Sequence, residues 1–579
     1  MSAVVASDPM IDRRSLVTRL GGAAMVGALS APVTSVDQAS ARPADEVRAI
    51  ASGEALPQDS PTVLTLAQGR HSIARSTTIN SGVVLMPGAS IDVAPGQTLT
   101  ILGDFSAPVA PVFTGSGQVN LNASRCHAAF PEWWGAVADD PAVDCLPALQ
   151  ASIAAHPFII LRAADYHISG TFRINRPYLR IWGAGYRGTR PGEGTRLILR
   201  SGAADVVHVG PRSRPSQVND FLEGVDLRWL DLTRSMPIDA SLDRQPAGLR
   251  AQFVLFCQFE AVSSSQNGVG FVAKGVVRSA FRDCIAFRSF DGAGAGAPFR
   301  GFLLDGDDSI GLAGGNASLF LTDCNVSVGG APNIADPVGL LLSGGFADTY
   351  VTNFETTHVA TGIRVAGKTA DLGAQSIVAH ANLHIRMPII DQCSAIGIDI
   401  ADTSEHALIE LSQPYVALAP RATAGIRVDR MRGALSILGG QVLGRIDAAA
   451  KGNGVGLLVH DSNGLSVTGL KLLDLRQPIR LEQCQQASVQ AWVGNPSQLA
   501  LDAAVRLQGC VQSRLAVQIG GRTGAFQRGI HIIDANSTDL RIDAMGIDLG
   551  ALAGGAAARV VLGGRSMAVP GRSAGILVE

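Results

Sequence analysis

The segments Thr361-Gly-Ile-Arg-Val365, Ile396-Gly-Ile-Asp-Ile400 and Ala424-Gly-Ile-Arg-Val428 repeat one short pattern, a small residue or glycine followed by apolar–any–apolar. Eight such units occur between residues 338 and 532, and their second residue recurs after 23, 35, 28, 31, 22, 26 and 25 residues. Each unit alternates with a period of two and is too short for an amphipathic helix, so it predicts a β-strand. Strands that recur at such steps indicate a solenoid, in which each coil buries its inward residues against the next.

A second strand follows most of these units after a loop, as in Ala381-Asn-Leu-His-Ile385 and His406-Ala-Leu-Ile-Glu-Leu411. The unequal steps are typical of loops inserted on the outside of a fixed coil. A sandwich would show turns about every 8–12 residues without one recurring pattern. The sequence therefore predicts an all-β, right-handed parallel β-helix over residues 178–579, with the hand taken from the crossover rule for parallel strands.

The composition excludes several classes of protein. The chain has 579 residues, of which 46% are hydrophobic and 17% charged, the opposite of a disordered chain. Lys and Arg number 47 and Asp and Glu 49, so there is no positive excess to displace counterions from a nucleic acid. We therefore expect neither nucleic acid as a partner nor a membrane span in the mature protein.

The first 41 residues resemble a twin-arginine signal peptide. Arg13-Arg14 precedes the small apolar run at 21–29, and Ala39-Ser-Ala41 has the form of a cleavage site. This order predicts export, cleavage near Ala41 and a periplasmic or secreted protein.

The eight cysteines are too sparse for a disulfide scaffold and form no C-x-x-C pair, so a structural zinc site is not expected. Most lie in apolar strands, as in Phe281-Arg-Asp-Cys284 and Leu321-Thr-Asp-Cys324, which predicts buried, inert thiols. Asp305-Gly-Asp-Asp-Ser309 is similar to half of a calcium loop but lacks the distal glutamate, so an ordinary turn is favoured. No cofactor is predicted, and calcium is the one metal that the sequence allows.

Residues 42–129 carry short strands and turns, and residues 130–177 form an opening segment with a helical stretch at 142–155. This helix would cap the open end of the solenoid, which otherwise exposes unpaired strand edges. Phe130-Pro-Glu-Trp-Trp-Gly-Ala136, followed by a helix, a strand containing Asp165-Tyr-His-Ile-Ser169 and then Tyr178-Leu-Arg-Ile-Trp-Gly-Ala-Gly185, resembles the pectate-lyase-like β-helix superfamily.

That superfamily includes bacterial polysaccharide-degrading enzymes and phage tailspikes. The resemblance implies a parallel β-helix and a polysaccharide partner, and it allows a homotrimer. The Gly-His-Gly and Arg-Ile-Lys signatures of polygalacturonase relatives are absent, and Val137-Ala-Asp-Asp-Pro141 replaces the usual Gly-Asp-Gly-like turn. No catalytic residue is therefore transferred from any one family, and fold alone does not specify function.

A candidate site follows from the alternation of the second strands. If their apolar residues point inward, Tyr350, His384 and Glu410 point outward in one column, and Arg386 lies in the next column. Neighbouring coils are ~4.8 Å apart, so these four side chains share one patch. Three carboxylates are expected at the edge of this patch, namely Asp348, Glu355 and Asp391. A functional site and a charge ladder that merely stabilises the surface both remain open.

Two chemistries fit the patch. In β-elimination on a uronate, Arg386 would neutralise the substrate carboxylate while His384 or Tyr350 removes the neighbouring proton. In glycosidic hydrolysis or transfer, a carboxylate pair such as Glu355 and Asp391 would flank the bond. The mixture of His, Arg and Tyr favours an exported lyase for an acidic polysaccharide. The non-enzyme alternative is a surface protein that binds carbohydrate without cleaving it.

Overall fold

The computed structural model describes residues 48–53, 56–57, 63–185, 193–239, 241–242, 244–289, 297–306, 316–329, 334–366, 380–444, 454–495, 501–521, 525–534, 536–563, 565–567, 570–573 and 576–578. The predicted signal peptide and residues 307–309 of the calcium-like turn lie outside this part of the chain. No helix within the described part is long and apolar enough to cross a membrane.

Ten short strands precede residue 130, as follows: β1 (Arg48–Ile50), β2 (Leu64–Leu66), β3 (Gly69–Ile73), β4 (Thr77–Ile79), β5 (Val83–Leu85), β6 (Ala89–Val93), β7 (Thr98–Ile101), β8 (Phe105–Ser106), β9 (Phe113–Gly115) and β10 (Gln118–Asn120). They form three parallel ladders in the orders β1-β2-β5-β8, β3-β6-β9 and β4-β7-β10. The segment for which the sequence predicted only strands and turns is thus itself a small three-sided parallel stack.

The remaining strands form the main stack: β11 (Phe158–Ile160), β12 (Asp165–Ile168), β13 (Phe172–Ile174), β14 (Arg180–Trp182), β15 (Arg196–Leu199), β16 (Val207–Val209), β17 (Leu222–Glu223), β18 (Asp226–Arg234), β19 (Ala247–Leu255), β20 (Gln258–Ser265), β21 (Val269–Arg282), β22 (Ile285–Arg288), β23 (Arg300–Asp305), β24 (Asn316–Thr322), β25 (Asn325–Val328), β26 (Val338–Ser343), β27 (Phe346–Thr352), β28 (Glu355–Thr357), β29 (Thr361–Ala366), β30 (His380–Arg386), β31 (Ile389–Cys393), β32 (Ile396–Ala401), β33 (Leu408–Ser412), β34 (Tyr415–Leu418), β35 (Ala424–Asp429), β36 (Ala434–Leu438), β37 (Gln441–Leu443), β38 (Val455–His460), β39 (Leu465–Leu473), β40 (Gln477–Glu482), β41 (Ser488–Asn495), β42 (Leu501–Gln508), β43 (Arg514–Gly521), β44 (Phe526–Ile532), β45 (Arg541–Asp543), β46 (Val560–Leu562), β47 (Arg565–Ser566), β48 (Gly571–Ser573) and β49 (Ile576–Val578).

Three strands make one coil of the main stack. β27, β28 and β29 pair in parallel with β30, β31 and β32 of the next coil, and this defines three faces that we name sheets I, II and III in that order. The recurring glycine-containing units form sheet III, and the predicted second strands form sheet I. The described strands pair in parallel except for two antiparallel pairs after residue 559, β46–β47 and β48–β49. The predicted parallel β-helix is confirmed.

The opening segment connects the two stacks through buried contacts. Pro131–Trp134 forms a 3-10 helix, in which Trp133 is buried against Phe105 and Phe113 and its indole N–H donates to the Pro108 carbonyl at 2.9 Å. Glu132 is only 3% exposed, and its Oε1 accepts hydrogen bonds from the Tyr166 hydroxyl and Arg162 Nε, both at 2.7 Å. These contacts explain why an acidic residue stands inside an otherwise aromatic motif.

The helix α1 runs over Leu146–Ala155 and begins four residues later than the helical stretch at 142–155. Pro147 lies in its first turn, where the missing N–H removes no helical hydrogen bond. The helix contacts β10 of the small stack and β11 and β13 of the main stack. Its capping role stays a prediction.

Close packing explains the recurring glycine of sheet III. The column contains Gly339, Gly362, Gly397, Gly425 and Gly456, and none of them has the positive φ that would itself require glycine. A Cβ added at Gly397 would lie 2.3 Å from Val416 Cγ1 of sheet II and 2.5 Å from the Gly425 carbonyl oxygen of the next coil. The glycines therefore let sheet III approach the side chains of sheet II.

The corner between sheets I and II is one residue with left-handed backbone in each of eight successive coils. The φ values lie between 50° and 65° at Trp229, Ala261, Asp283, Asp323, Asn353, Met387, Gln413 and Gly439. Asp and Asn are several-fold enriched in this conformation among non-glycine residues. The corner therefore fixes a second column of side chains next to the outward residues of sheet I.

We expect Gly397→Ala to destabilise the protein by about 1–3 kcal/mol, because the added methyl group overlaps a backbone oxygen that cannot move independently. The matched control is Gly520→Ala, where a Cβ meets nothing within 4 Å and φ is not positive. Denaturant unfolding of both variants measures the difference. Equal unfolding midpoints for the two variants would contradict this account of the glycine column.

Candidate functional site

The structure brings together the four residues predicted to form the central patch. Tyr350 pairs with His384 across β27 and β30, and His384 pairs with Glu410 across β30 and β33. Arg386 lies two positions after His384 on the same strand. The inward residues Val351, Ile385 and Leu411 are completely buried, so the predicted direction of each side chain is correct.

Aromatic rings stack along this outward column. The Phe320 and Tyr350 rings lie 5.2 Å apart at an interplanar angle of 8°, and the Tyr350 and His384 rings lie 5.1 Å apart at 4°. Because parallel coils repeat the same outward position at almost this distance, the rings stack face to face. The rings therefore cover each other's faces and turn their edges outward, and the stack ends at a charged group.

Glu410 is the charged group at the end of the ring stack. Its Oε2 lies 3.6 Å from His384 Nδ1, and its Oε1 lies 3.5 Å from Arg386 Nε. His384 Nδ1 is buried and makes no hydrogen bond within the described part of the chain. Arg386 keeps 53% of its side chain exposed, so its guanidinium remains accessible to a ligand while Glu410 orients it.

The three predicted edge carboxylates lie at different places around the patch. Asp348 is on sheet I, where Asn382 Nδ2 donates to its Oδ1 at 2.9 Å. Glu355 and Asp391 are on sheet II, where Glu355 pairs with Ile389 and Thr357 pairs with Asp391. Glu355 and Asp391 are therefore offset by two positions on neighbouring strands and do not stand directly opposite each other.

Sequence reasoning missed a carboxylate cluster in the three coils directly before this patch. Asp283 and Asp323 occupy the left-handed corner in adjacent coils, and Glu260 lies on sheet I in the coil before them. We name these three residues the acidic corner. Asn353 Nδ2 donates to Asp323 Oδ1 at 2.9 Å, and Arg228 Nη1 lies 2.9 Å from Glu260 Oε2.

Within the acidic corner, the carboxyl group of Asp283 has a raised pKa. Partial burial raises the pKa of Asp283, and the negative charges of Asp323 and Glu260 raise it further. A carboxyl group with a raised pKa beside a second carboxylate is an arrangement that supports acid–base chemistry. The signal was present in Arg282-Asp-Cys284 and Thr322-Asp-Cys324, but these repeated segments were interpreted only through their cysteines.

The eight cysteines are free, and seven of them are buried. Burial raises the pKa of the Cys257 thiol to about 12 and that of Cys324 well above its usual range, so these thiols stay protonated and unreactive. Within the described residues, no group of three His, Cys, Asp or Glu side chains could hold a metal ion. Asp305 of the calcium-like turn forms an ion pair with Lys274 at 3.0 Å.

Exposed apolar side chains continue along the same side of the solenoid. Five of them on sheets I and II and their shared corner are 38–43% exposed: Phe320, Met387, Ile389, Leu438 and Trp492. Trp492 borders a shallow depression of about 260 Å³ whose lining includes Gln490, Gln518 and Asp543. Sheets I and II thus present a long face that combines flat apolar surfaces with hydrogen-bonding and charged groups.

No protein-family model matches the chain, and no curated protein sequence matches it. Among solved structures, the tailspike protein of Escherichia coli bacteriophage HK620 aligns with a TM-score of 0.54 at 12% identity, covering 74% of this chain and 76% of the tailspike. That tailspike has been solved in complex with a hexasaccharide.

Two further solved structures are similar. The A-module of the Azotobacter vinelandii mannuronan C-5 epimerase AlgE6 has a TM-score of 0.41 at 13% identity, covering 72% of this chain and 98% of the module. Tailspike protein 3 of bacteriophage CBA120 has a TM-score of 0.39 at 12% identity, and the alignment covers 75% of this chain but 61% of the tailspike. At these identities the similarity to HK620, which has the highest TM-score of the three, shows a shared right-handed β-helix and no more.

We expect Asp283→Asn to melt slightly above the wild type at pH 7. Because the pKa of Asp283 is raised by folding, its ionisation opposes folding, and stability is lost as pH rises from its ordinary pKa through the raised one. The gain should disappear below about pH 4, where the carboxyl group is protonated in both states. Thermal unfolding at the two pH values measures this change.

Asp323→Asn is the matched control, since it occupies the same corner conformation but accepts a hydrogen bond from Asn353. It should not gain stability. Any preference of asparagine for the left-handed conformation is independent of pH, so an equal gain for Asp283→Asn at both pH values would contradict the electrostatic explanation.

Proposed function

We propose that this protein is an exported enzyme that binds an acidic polysaccharide along sheets I and II and cleaves it by β-elimination. The observation that carries the proposal is the ring stack of Phe320, Tyr350 and His384, which ends at the pair formed by Glu410 and the exposed Arg386. Rings and charge together suit a ligand that is both a sugar and an anion.

The face is suited to a long carbohydrate chain. One side of a sugar ring presents C–H groups, which pack on flat aromatic surfaces, while its hydroxyl groups need polar partners. Phe320, whose ring is stacked on one side only and is 41% exposed, and Trp492 farther along supply apolar surface, and Gln490 and Gln518 supply amide groups. The bound hexasaccharide of the HK620 tailspike supports this interpretation, because the two chains share a fold.

The leading chemistry uses Arg386, His384 and Tyr350. Arg386 would neutralise the uronate carboxylate, which makes the neighbouring C–H group more acidic. His384 or Tyr350 would accept that proton, the C–H electron pair would form a carbon–carbon double bond, and the glycosidic C–O bond at the next carbon would break. The leaving oxygen takes up a proton and becomes a hydroxyl group. Glu410 would hold the imidazole and the guanidinium in position.

Hydrolysis by the acidic corner is the second candidate, and the raised pKa of Asp283 favours it specifically. Asp283 would protonate the leaving glycosidic oxygen, and Asp323 would act as the base or nucleophile. Glu355 and Asp391 remain the alternative carboxylate pair, because diagonal neighbours on adjacent strands lie about 7–8 Å apart, within the ~6.5–9.5 Å that inverting glycosidases use. A protein that binds carbohydrate on this face without cleaving it is the non-enzyme alternative.

Removing His384 or Arg386 should lower the rate of cleavage by ~10²–10⁴, as expected for groups that act in acid–base catalysis. Purified wild type is first screened against acidic and neutral polysaccharides. Ultraviolet absorbance then reports the unsaturated ends that elimination leaves and hydrolysis does not. The variants are His384→Ala, Arg386→Ala and Asp283→Asn, with Arg421→Ala, an exposed arginine in the turn between sheets II and III, as the control.

Loss of unsaturated product in His384→Ala and Arg386→Ala, with Arg421→Ala active, supports elimination at the central patch. New reducing ends that appear without ultraviolet absorbance, and that are lost only in Asp283→Asn, support hydrolysis by the acidic corner instead. If His384→Ala and Arg386→Ala stay folded and cleave at the wild-type rate, the patch is a surface ladder worth ~0.2–1 kcal/mol of stability.

Export through the twin-arginine route belongs to the same proposal, and it rests on the order of Arg13-Arg14, the apolar run and Ala39-Ser-Ala41. The exported protein should begin near Pro43, and replacing both arginines with lysine should retain the chain in the cytoplasm. Amino-terminal sequencing of the exported protein tests this, and a protein that begins at Met1 or Ser2 would refute it. The homotrimer allowed by the resemblance stays a prediction.

A further inference from the structure

A second site lies on sheet III, on a different face from the proposed catalytic residues. A pocket of about 290 Å³ is formed by β13, β16, β19, β21 and the loop at 211–214. Its polar lining comes chiefly from Arg173, His208, Arg212, Arg214, Gln252 and Lys274. Four of these side chains are cationic, and no carboxylate is among the described residues that line the pocket.

The histidine of this pocket acts as a neutral hydrogen-bond donor. Burial lowers the pKa of His208 to about 4, with Asp205 opposing this effect and the nearby Arg173, Arg250 and Arg244 adding to it. His208 is therefore uncharged at neutral pH. Arg173 Nη1 lies 3.3 Å from His208 Nδ1, and since a guanidinium can only donate, Nδ1 accepts and the proton is assigned to Nε2.

The neighbouring carboxylates are engaged by other cations. Asp205 is buried, and it binds Arg250 at 2.7 Å and Arg244 at 3.1 Å. Asp305 pairs with Lys274 at 3.0 Å. With Arg173, Arg212 and Arg214 included, two acids face six cations, one of which is the pocket's own Lys274, and the pocket keeps an excess of positive charge and of donors.

The pocket is also held in shape before any ligand binds. Phe253 has a left-handed backbone with φ 54° and packs against Phe221 with ring centroids 5.7 Å apart. The guanidinium carbon of Arg214 lies 5.9 Å from the Phe253 ring, within cation–π range. Gly275 is required beside this ring, because a Cβ there would approach Phe253 Cδ1 to 2.7 Å. Such preorganisation reduces the entropic cost of binding.

We propose that this pocket binds an oxyanion, meaning a carboxylate, sulfate or phosphate group. A cavity lined by arginines, a lysine and a protonated imidazole nitrogen offers donors and positive charge, which is what the oxygens of such a group require. The group could belong to an acidic polysaccharide or to a free inorganic anion. The proposal is independent of the catalytic one, since none of the lining residues belongs to sheet I or to the acidic corner.

Calorimetric titration of the full chain tests the proposal with inorganic phosphate, inorganic sulfate, a galacturonate hexamer and the neutral maltohexaose. The double variant Arg173→Gln/Arg212→Gln should bind the anions at least about tenfold more weakly, since each lost charge-assisted hydrogen bond costs about that factor or more. The matched control Arg421→Gln/Arg476→Gln, at two exposed turns between sheets II and III, makes the same change in net charge and should bind like the wild type.

Binding of phosphate and sulfate but not of the hexamer identifies a site for free anions, and tighter binding of the hexamer that Arg173→Gln/Arg212→Gln weakens identifies groups carried by a polymer. Both results support an oxyanion site. The proposal is overturned if no anion binds the wild type, if maltohexaose binds equally well, or if the two double variants lose affinity equally. Should the first double variant fail to fold, the single change Arg212→Gln in the exposed loop provides the same comparison.

Discussion

The structure depends on the parallel hydrogen bonding of each coil to the coils before and after it. This pairing holds equivalent residues of successive coils ~4.8 Å apart, so whatever stands at one position must be compatible with the same position one coil away. Rings then stack on rings, as Tyr350 does on His384, and Gly425 follows Gly397 where sheet III approaches sheet II. The spacing between coils therefore constrains both the local sequence and the stacking of the whole solenoid.

The same spacing explains how functional groups from different coils come to lie together on one face. Outward positions are free of packing demands, and neighbouring coils can add one functional group each to a common surface. Sheet I places His384 and Glu410 from different coils within contact range, and the left-handed corner adds a parallel row that contains Asp283 and Asp323. A face built in this way is open and elongated, which suits a polymer better than a small molecule.

The sequence predicted the fold and the column of Tyr350, His384 and Glu410. Both follow from side chains that alternate with a period of two and from strands that recur along the chain, and these patterns can be recognised without knowing any distance between residues. The acidic corner was missed because a corner residue belongs to neither strand, and alternation says nothing about where its side chain points. The small stack before residue 130 was missed because its strands have two to five residues and share no recurring pattern. The pocket around His208 combines four strands with one loop, and only coordinates bring such residues together.

At the carboxyl-terminal end, the ladder does not stop at a bare parallel strand. β46 is paired on its outer side with β47, and β49 with β48, and both partners run in the opposite direction. The outermost strands have two and three residues, and β47 begins with the exposed Arg565. A short, charged, reversed edge gives another molecule no template on which to continue the coil, so this end is protected against fibre-like growth.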